Sequence, residues 1–135
     1  MRRTMAVGVV FLLVVGLLAI AGSVSAGGTI TCGGFATTLE GTSGDNILIG
    51  TDANDVIHGR GGDDAIFGRG GRDELCGGGG NDTVSGMGAN DNVRGNSGND
   101  DLFGGGGRDH LNGDGGTDFC DGGNGTDVLE SCERS

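Results

Sequence analysis

The sequence predicts an all-β protein built as a parallel β-solenoid, with about 18 residues in each coil. Gly recurs at every ninth residue from Gly41 to Gly122, which defines ten nonapeptide repeats. The sixth residue of each repeat is Asp or Asn, the eighth is apolar or Cys, and the fourth is Gly or Ala. A Gly-rich linker has a similar composition but no regular spacing of its residues. Four positions that keep a nine-residue spacing over 90 residues therefore indicate a repeated structure.

Residues 1–26 are predicted to be a secretory signal peptide that is removed after Ala26. Two arginines precede an apolar and Gly run over residues 7–20, and small residues at 24–26 stand where a signal peptidase cleaves. The run of 14 residues is shorter than the roughly 20 that a helix needs to cross a bilayer. Cleavage is therefore favoured over a retained membrane anchor.

The predicted mature chain is strongly acidic. The whole sequence has 8 Arg and 19 acidic residues, and loss of Arg2 and Arg3 leaves a net charge of −13. Binding to phosphates needs a basic surface, so nucleic acid and anionic membranes are not expected as partners. We expect a secreted, extracellular protein that has no membrane contact after signal cleavage and whose natural partners are cations.

Residues 27–40 are predicted to form an N-terminal cap. Ile30 and Leu39 fall on the column of eighth-position residues when that column is extended backwards by 18 and 9 residues. A degenerate coil at this place would cover the first edge of the sheets.

Residues 41–130 are predicted to form the solenoid itself. In each repeat, such as 77–85, six turn-forming residues precede a three-residue strand whose middle side chain points to one face. Each repeat reverses the chain once, so two repeats make one coil, and odd and even repeats stack into two separate parallel sheets. The ten eighth-position residues are expected to line the interior: Leu48, Ile57, Ile66, Leu75, Val84, Val93, Leu102, Leu111, Cys120 and Leu129.

A divalent cation is expected to hold these coils together. Ten side chains are a sparse interior for 90 residues, and acidic side chains stacked from coil to coil repel one another. Carboxylates in successive coils would stand about 4.7–4.9 Å apart, and a Ca²⁺ ion between two of them spans about 4.6–5.2 Å. Turn carbonyls supply further oxygen ligands, whereas Mg²⁺ demands shorter bonds and zinc favours His or Cys. The expected cofactor is therefore Ca²⁺.

The repeats GGGGNDTVS at 77–85 and GGGGRDHLN at 104–112 resemble the nonapeptide of the RTX, or hemolysin-type calcium-binding, family. The resemblance covers residues 41–130 and implies a parallel β-roll with Ca²⁺ held between its turns. It implies that the sixth-position carboxylates are the side-chain ligands: Asp55, Asp64, Asp73, Asp82, Asp91, Asp100, Asp109, Asp118 and Asp127. Asn46 departs from the pattern. Seven pairs of sixth residues two repeats apart keep both carboxylates, which predicts seven ions.

An enzymatic activity is not predicted. Toxins and proteases with these repeats carry a separate catalytic or pore-forming domain and a C-terminal export signal, whereas here the repeats fill most of the predicted mature chain. His58 and His110 occupy outward positions of different repeats, where a solvated histidine is the ordinary interpretation. We expect a calcium-binding repeat protein; the alternative is an adhesion or interaction module that uses the rod as a spacer and has a cell-surface or matrix partner.

The four Cys are expected to form two disulfides in an exported chain, and three pairings are possible. Cys32–Cys76 and Cys120–Cys132 are favoured. The first would fasten the cap to a strand, and the second would fasten the C-terminal tail, residues 131–135, to an inward position of the roll.

Overall fold

The computed structural model describes residues 30–133, and the predicted signal peptide lies outside them. The described chain is all β, and it contains no helix long and apolar enough to cross a membrane. Its strands, in chain order, are β1 Thr31–Cys32, β2 Phe35–Ala36, β3 Leu39–Glu40, β4 Ile47–Ile49, β5 Val56–Gly61, β6 Ala65–Arg69, β7 Glu74–Gly79, β8 Thr83–Gly88, β9 Asn92–Ser97, β10 Asp101–Gly107, β11 His110–Gly115, β12 Phe119–Gly125 and β13 Val128–Glu130.

The strands from β3 onwards alternate between two parallel sheets. One sheet has five strands in the order β12-β10-β8-β6-β4, and the other has six in the order β13-β11-β9-β7-β5-β3. Leu102 lies between Val84 and Cys120 in the five-stranded sheet, so successive coils are offset by 18 residues. The predicted parallel β-solenoid of 18 residues per coil is confirmed.

The central strands are longer than the three residues predicted for each repeat. For example, β8 has six residues because the ladder continues through the start of the next repeat. Gly78 and Gly79 pair in register with Asn96 and Ser97 of the following coil. A Cβ on Gly78 would collide with the carbonyl of Arg60, so the missing side chain is what allows these backbones to keep pairing.

The eighth-position residues form one continuous hydrophobic column between the sheets. Nine of them are at most 3% exposed: Leu48, Ile57, Ile66, Leu75, Val84, Val93, Leu102, Leu111 and Cys120. The prediction is wrong for Leu129, which is 40% exposed. Leu129 lies in β13, the last strand of its sheet, and pairs only with Leu111, so no later coil covers it. Cys132 packs against the end of the column instead.

The chain before the roll forms a hairpin and then joins a sheet. Strands β1 and β2 pair in an antiparallel manner, with Cys32 opposite Phe35. Leu39 in β3 then pairs with Ile57 in the parallel register and packs against the core. Ile30 is half-buried. That residues 27–40 act as a cap remains a prediction.

Both favoured disulfides are present. Cys32–Cys76 joins the N-terminal hairpin to β7 of the six-stranded sheet. Cys120–Cys132 joins β12 to the segment after the last strand. No cysteine in the described chain is free.

Candidate metal sites

Turns cross between the two sheets along both edges of the roll. We call the first six residues of the odd repeats the odd-turn edge and those of the even repeats the even-turn edge. The odd-turn edge comprises residues 41–46, 59–64, 77–82, 95–100 and 113–118, and the even-turn edge comprises 50–55, 68–73, 86–91, 104–109 and 122–127. Each turn therefore places one sixth-position side chain beside those of the coils before and after it.

The sixth-position carboxylates form a buried single file along each edge. Seven of them are at most 3% exposed: Asp64, Asp73, Asp82, Asp91, Asp100, Asp109 and Asp118. Each file is held in register by backbone hydrogen bonds. The N–H of Asp64 donates to Oδ1 of Asp82 at 2.8 Å, and the N–H of Asp82 donates to Oδ1 of Asp100 at 2.7 Å. The preceding coil thus donates one hydrogen bond to Oδ1 of each of these carboxylates.

The second carboxylate oxygen is buried and has no hydrogen-bond partner. This holds for Oδ2 of the same seven residues. A buried charged oxygen without a partner loses its hydration and gains nothing in return, which is strongly unfavourable in a folded protein. A cation at this place would compensate for the loss.

The first Gly of each repeat creates the room for these oxygens. A Cβ on Gly77 would collide with Oδ2 of Asp82 and would lie 2.8 Å from the carbonyl oxygen of Gly95 in the next coil. The same pair of oxygens, a carboxylate of the same repeat and a carbonyl 18 residues on, faces Gly59, Gly68, Gly86, Gly95 and Gly104. Carboxylate and carbonyl oxygens are the hard ligands that Ca²⁺ prefers, so the donor set fits that ion.

The repeat pattern also matches a known family. The sequence model described as RTX calcium-binding nonapeptide repeat (4 copies) matches residues 40–75, 77–111 and 94–129. The chain belongs to this family. No curated protein and no solved structure matches it. The RTX repeats therefore make up most of the described chain and mark it as a calcium-binding repeat protein.

Burial changes the acidity of the RTX carboxylates. Loss of hydration raises the pKa of Asp64, Asp73, Asp82 and Asp100 to about 6 and that of Asp91 to about 7. The N–H bond from the preceding coil opposes this rise, and neighbouring carboxylates add to it. The pKa of Asp109 and of Asp118 is also raised by burial. A bound cation acts in the opposite direction, because it favours the ionised carboxylate.

The two ends of the RTX column differ from its middle. Asp55 and Asp127 are half-buried. Oδ2 of Asp55 accepts hydrogen bonds from the N–H and the hydroxyl of Thr51, at 2.7 and 2.9 Å. Oδ1 of Asn46 accepts one from the N–H of Thr42 at 2.6 Å. The first two repeats therefore satisfy their sixth-position oxygens with protein donors.

Side chains alone do not make a complete metal shell in this RTX roll. Within residues 30–133, no three His, Cys, Asp or Glu side chains converge as a metal-binding group. The carboxylates stand in single file, one to a coil, so an ion between coils would take most of its ligands from backbone carbonyls. The sequence predicts both the Asp column and the turn carbonyls, and the signal for the carbonyls is the glycine that precedes each Asp by five residues.

The two histidines lie outside the turns. His58 and His110 are half-buried on the outer face of the six-stranded sheet. Nδ1 of His58 accepts the N–H of Arg60 at 2.9 Å, and Nε2 of His110 lies 3.2 Å from a carboxylate oxygen of Glu130. Burial lowers the pKa of His58. Both rings thus take part in local surface contacts.

Proposed function

We propose that this protein is a secreted, non-enzymatic calcium-binding protein whose β-roll folds when Ca²⁺ enters its turns. The observation that carries the proposal is the set of seven buried Asp Oδ2 atoms without a hydrogen-bond partner. Calcium carries positive charge and binds several oxygen ligands at once. It would therefore give these buried oxygens the partner that they lack.

The ligands in this proposal come from two sources. First-position Gly carbonyls supply backbone oxygens beside the carboxylates. The side-chain ligands are the sixth-position residues Asp55, Asp64, Asp73, Asp82, Asp91, Asp100, Asp109, Asp118 and Asp127. Seven ions would add a charge of +14 to a mature chain of −13, so the loaded protein would be close to neutral.

Calcium binding and folding are coupled in this proposal. Without metal, buried carboxylates with raised pKa values oppose the compact state at neutral pH. A site made from two coils exists only when both coils are formed, so binding of one ion favours the next site. We expect a cooperative transition in the weak range of extracellular calcium sites, about 10⁻⁴ to 10⁻³ M.

Two features support secretion. Two disulfides stabilise the ends of the described chain, and disulfides persist in oxidising compartments. The predicted signal peptide at residues 1–26 is consistent with this. Extracellular fluids also hold calcium at concentrations that weak sites need.

A calcium titration with matched variants tests the proposal. Circular dichroism of the mature chain should change from coil to β as calcium is added, and isothermal titration should count the ions. Replacing Asp82 and Asp100 by Asn should raise the calcium midpoint by about tenfold or more, because two coupled ligands lose their charge. The matched control replaces Asp45 and Asp63 by Asn, because these exposed fifth-position residues lie on the same edge and carry the same total charge.

The control pair also keeps its backbone contacts. Oδ1 of Asp45 and of Asp63 each accepts an N–H from the next coil, and an Asn oxygen can accept the same bond. If both double variants had the same calcium midpoint, the effect would come from overall charge, and the sixth-position carboxylates would not be the ligands. An unchanged spectrum at millimolar calcium would reject calcium-driven folding.

A second candidate function is that of an adhesion spacer with a surface or matrix partner. The outer face of the five-stranded sheet favours it, since Ile47 and Ile49 are 57% and 48% exposed. On the same face, the Phe103 and Phe119 rings have centroids 5.8 Å apart. Replacing both isoleucines by Ser should reduce binding to a cell-envelope or matrix preparation if this face is adhesive, and equal binding would reject that role.

A further inference from the structure

The even-turn edge carries a groove with two arginines. The groove has a volume of about 370 Å³ and opens between this edge and the outer face of the six-stranded sheet. The fifth-position residues of three successive even turns line it, namely Arg72, Asn90 and Arg108. Arg72 and Arg108 are two coils apart, which is roughly 10 Å along the roll.

Both arginines are exposed, and neither guanidinium group forms an ion pair within the described residues. The ion pairs within residues 30–133 join Arg60 to Glu40 and Arg94 to Glu74, and Nε2 of His110 lies beside a carboxylate oxygen of Glu130. Arg72 and Arg108 lie in none of these pairs. Each uses its backbone N–H to bond a fifth-position Asn of the preceding coil, at 2.8 Å in both cases, and this leaves the guanidinium groups available.

Asn90 completes a donor surface between the two arginines. Its Oδ1 accepts the N–H of Arg108, so its amide NH₂ is the part of the side chain that remains available. The corresponding residues of the odd-turn edge include Asp45 and Asp63, which are acceptors. The three even-turn positions thus offer donors only, in a chain that is otherwise strongly acidic.

We propose that this groove binds an oxyanion, such as a sulfate, phosphate or carboxylate group, between Arg72 and Arg108. The planar guanidinium group donates two parallel hydrogen bonds to such a group, and the Asn90 amide adds another donor. An anionic group on an extracellular ligand is the chemical class that this arrangement recognises.

The site depends on calcium, and in this respect it rests on the proposed function. Asp91 and Asp109 line the same groove. In the metal-free chain their carboxylates repel an anion, whereas bound Ca²⁺ would compensate their charge and leave the arginines dominant. Because coupling between two ligands is reciprocal, the anion should also raise the affinity for calcium.

Sulfate titrations of the mature chain test the site. Arginine Nε–H signals in NMR spectra of the calcium-loaded protein should shift in a saturable manner for Arg72 and Arg108. Replacing both by Gln should weaken sulfate binding by about tenfold or more. R69Q is the control, since Arg69 is exposed on the same edge but does not line the groove, and it should bind sulfate like the unmodified chain.

The outcomes separate the two proposals. Circular dichroism before sulfate addition reports whether calcium folds each variant. A normal calcium transition without saturable sulfate binding would overturn the groove alone, and so would equal losses in R69Q and in the double variant. No calcium transition would overturn the proposed function and, with it, the calcium dependence of the groove. Parallel titrations with acetate and monomethyl phosphate identify which oxyanion binds most tightly.

Discussion

The first coil and the later coils differ in the hydrogen bonds that their sixth-position side chains receive. In repeats 1 and 2, Thr42 and Thr51 occupy the second position and donate to the sixth-position side chain. In repeats 3–10, the second residue has a positive φ, from 63° at Asp114 to 116° at Gly78. Thr42 and Thr51 do not have a positive φ. Only the first coil therefore has a protein donor where the later coils have none.

This difference follows from the residue at the second position of the repeat. A β-branched residue rarely adopts a left-handed conformation, so Thr at the second position keeps the turn in the form that points its N–H at the sixth residue. Residues at the later second positions, such as Arg60 and Met87, take the left-handed form, and Oδ2 of Asp64 and Asp91 is unpartnered. The RTX roll thus contains one coil whose sixth-position oxygens have protein donors and later coils whose buried Oδ2 atoms have none.

The largest effect on this contrast is expected from pH, because pH acts on all seven later carboxylates at once. Burial raises the folded-state pKa of five of them from 3.8 to about 6 or 7. A raised folded-state pKa contributes stability at low pH that is lost as pH rises through that value. In chelator, the β signal in circular dichroism should therefore fall between about pH 4 and about pH 7, that is between the unfolded and the folded pKa values.

The calcium-loaded protein is the control for this experiment. Calcium competes with protons for the same oxygens, so the loaded roll should lose stability as the pH falls rather than as it rises. A metal-free β signal that stays constant or increases from acid to neutral pH would show that the carboxylates are not buried in the metal-free roll.

A smaller but more local effect is expected from G95A. A Cβ on Gly95 would collide with Oδ2 of Asp100 and would lie 2.8 Å from the carbonyl oxygen of Gly113. The Gly113 carbonyl cannot move without disturbing the ladder, and Asp100 is buried, so urea unfolding in saturating calcium should show a loss of about 3 kcal/mol. G44A in the first coil is the control, because no atom lies within 4 Å of a Cβ there. A similar loss in both variants would point to a general intolerance of Ala.

Single carboxylate changes compare the two regions directly. Asp82 is 2% exposed with an unpartnered Oδ2, whereas Oδ2 of Asp55 has two donors from Thr51. We expect D82N to raise the calcium midpoint by about fivefold and D55N by less than about twofold. Each variant loses one negative charge, so overall charge does not explain a difference. A larger shift for D55N would mean that the first coil also binds calcium tightly.

The repeated positions of the nonapeptide predict much of this fold, because a nine-residue period leaves few ways to bury one apolar residue per repeat. They predict two parallel sheets and the interior from Leu48 to Cys120, whereas the two disulfides are favoured among three possible pairings on separate grounds. They do not predict the exposure of Leu129, which depends on there being no further coil. They also do not distinguish Asp55 from Asp82, because that difference depends on the backbone conformation four residues earlier.

The smallest expected effect comes from replacing Thr51, so that the second position of repeat 2 resembles those of the later repeats. T51G removes the hydroxyl that donates to Oδ2 of Asp55 and accepts the N–H of Ala53, and it lets the second position adopt a positive φ. We expect a loss of about 1 kcal/mol in urea unfolding at moderate calcium, because two exposed hydrogen bonds are lost and each contributes about 0.5 kcal/mol net. Raising the calcium concentration should then stabilise T51G more than the unmodified chain, because the freed oxygen becomes available to an ion.

T51S is the control that separates the hydroxyl from the backbone. It keeps the donor to Asp55 but has no β-branch, so its stability and calcium response should stay close to those of the unmodified chain. If T51S and T51G lose equal stability, the branched side chain itself holds the turn, and the hydroxyl contributes little. If T51G gains nothing from added calcium, the freed Oδ2 of Asp55 is not a calcium ligand.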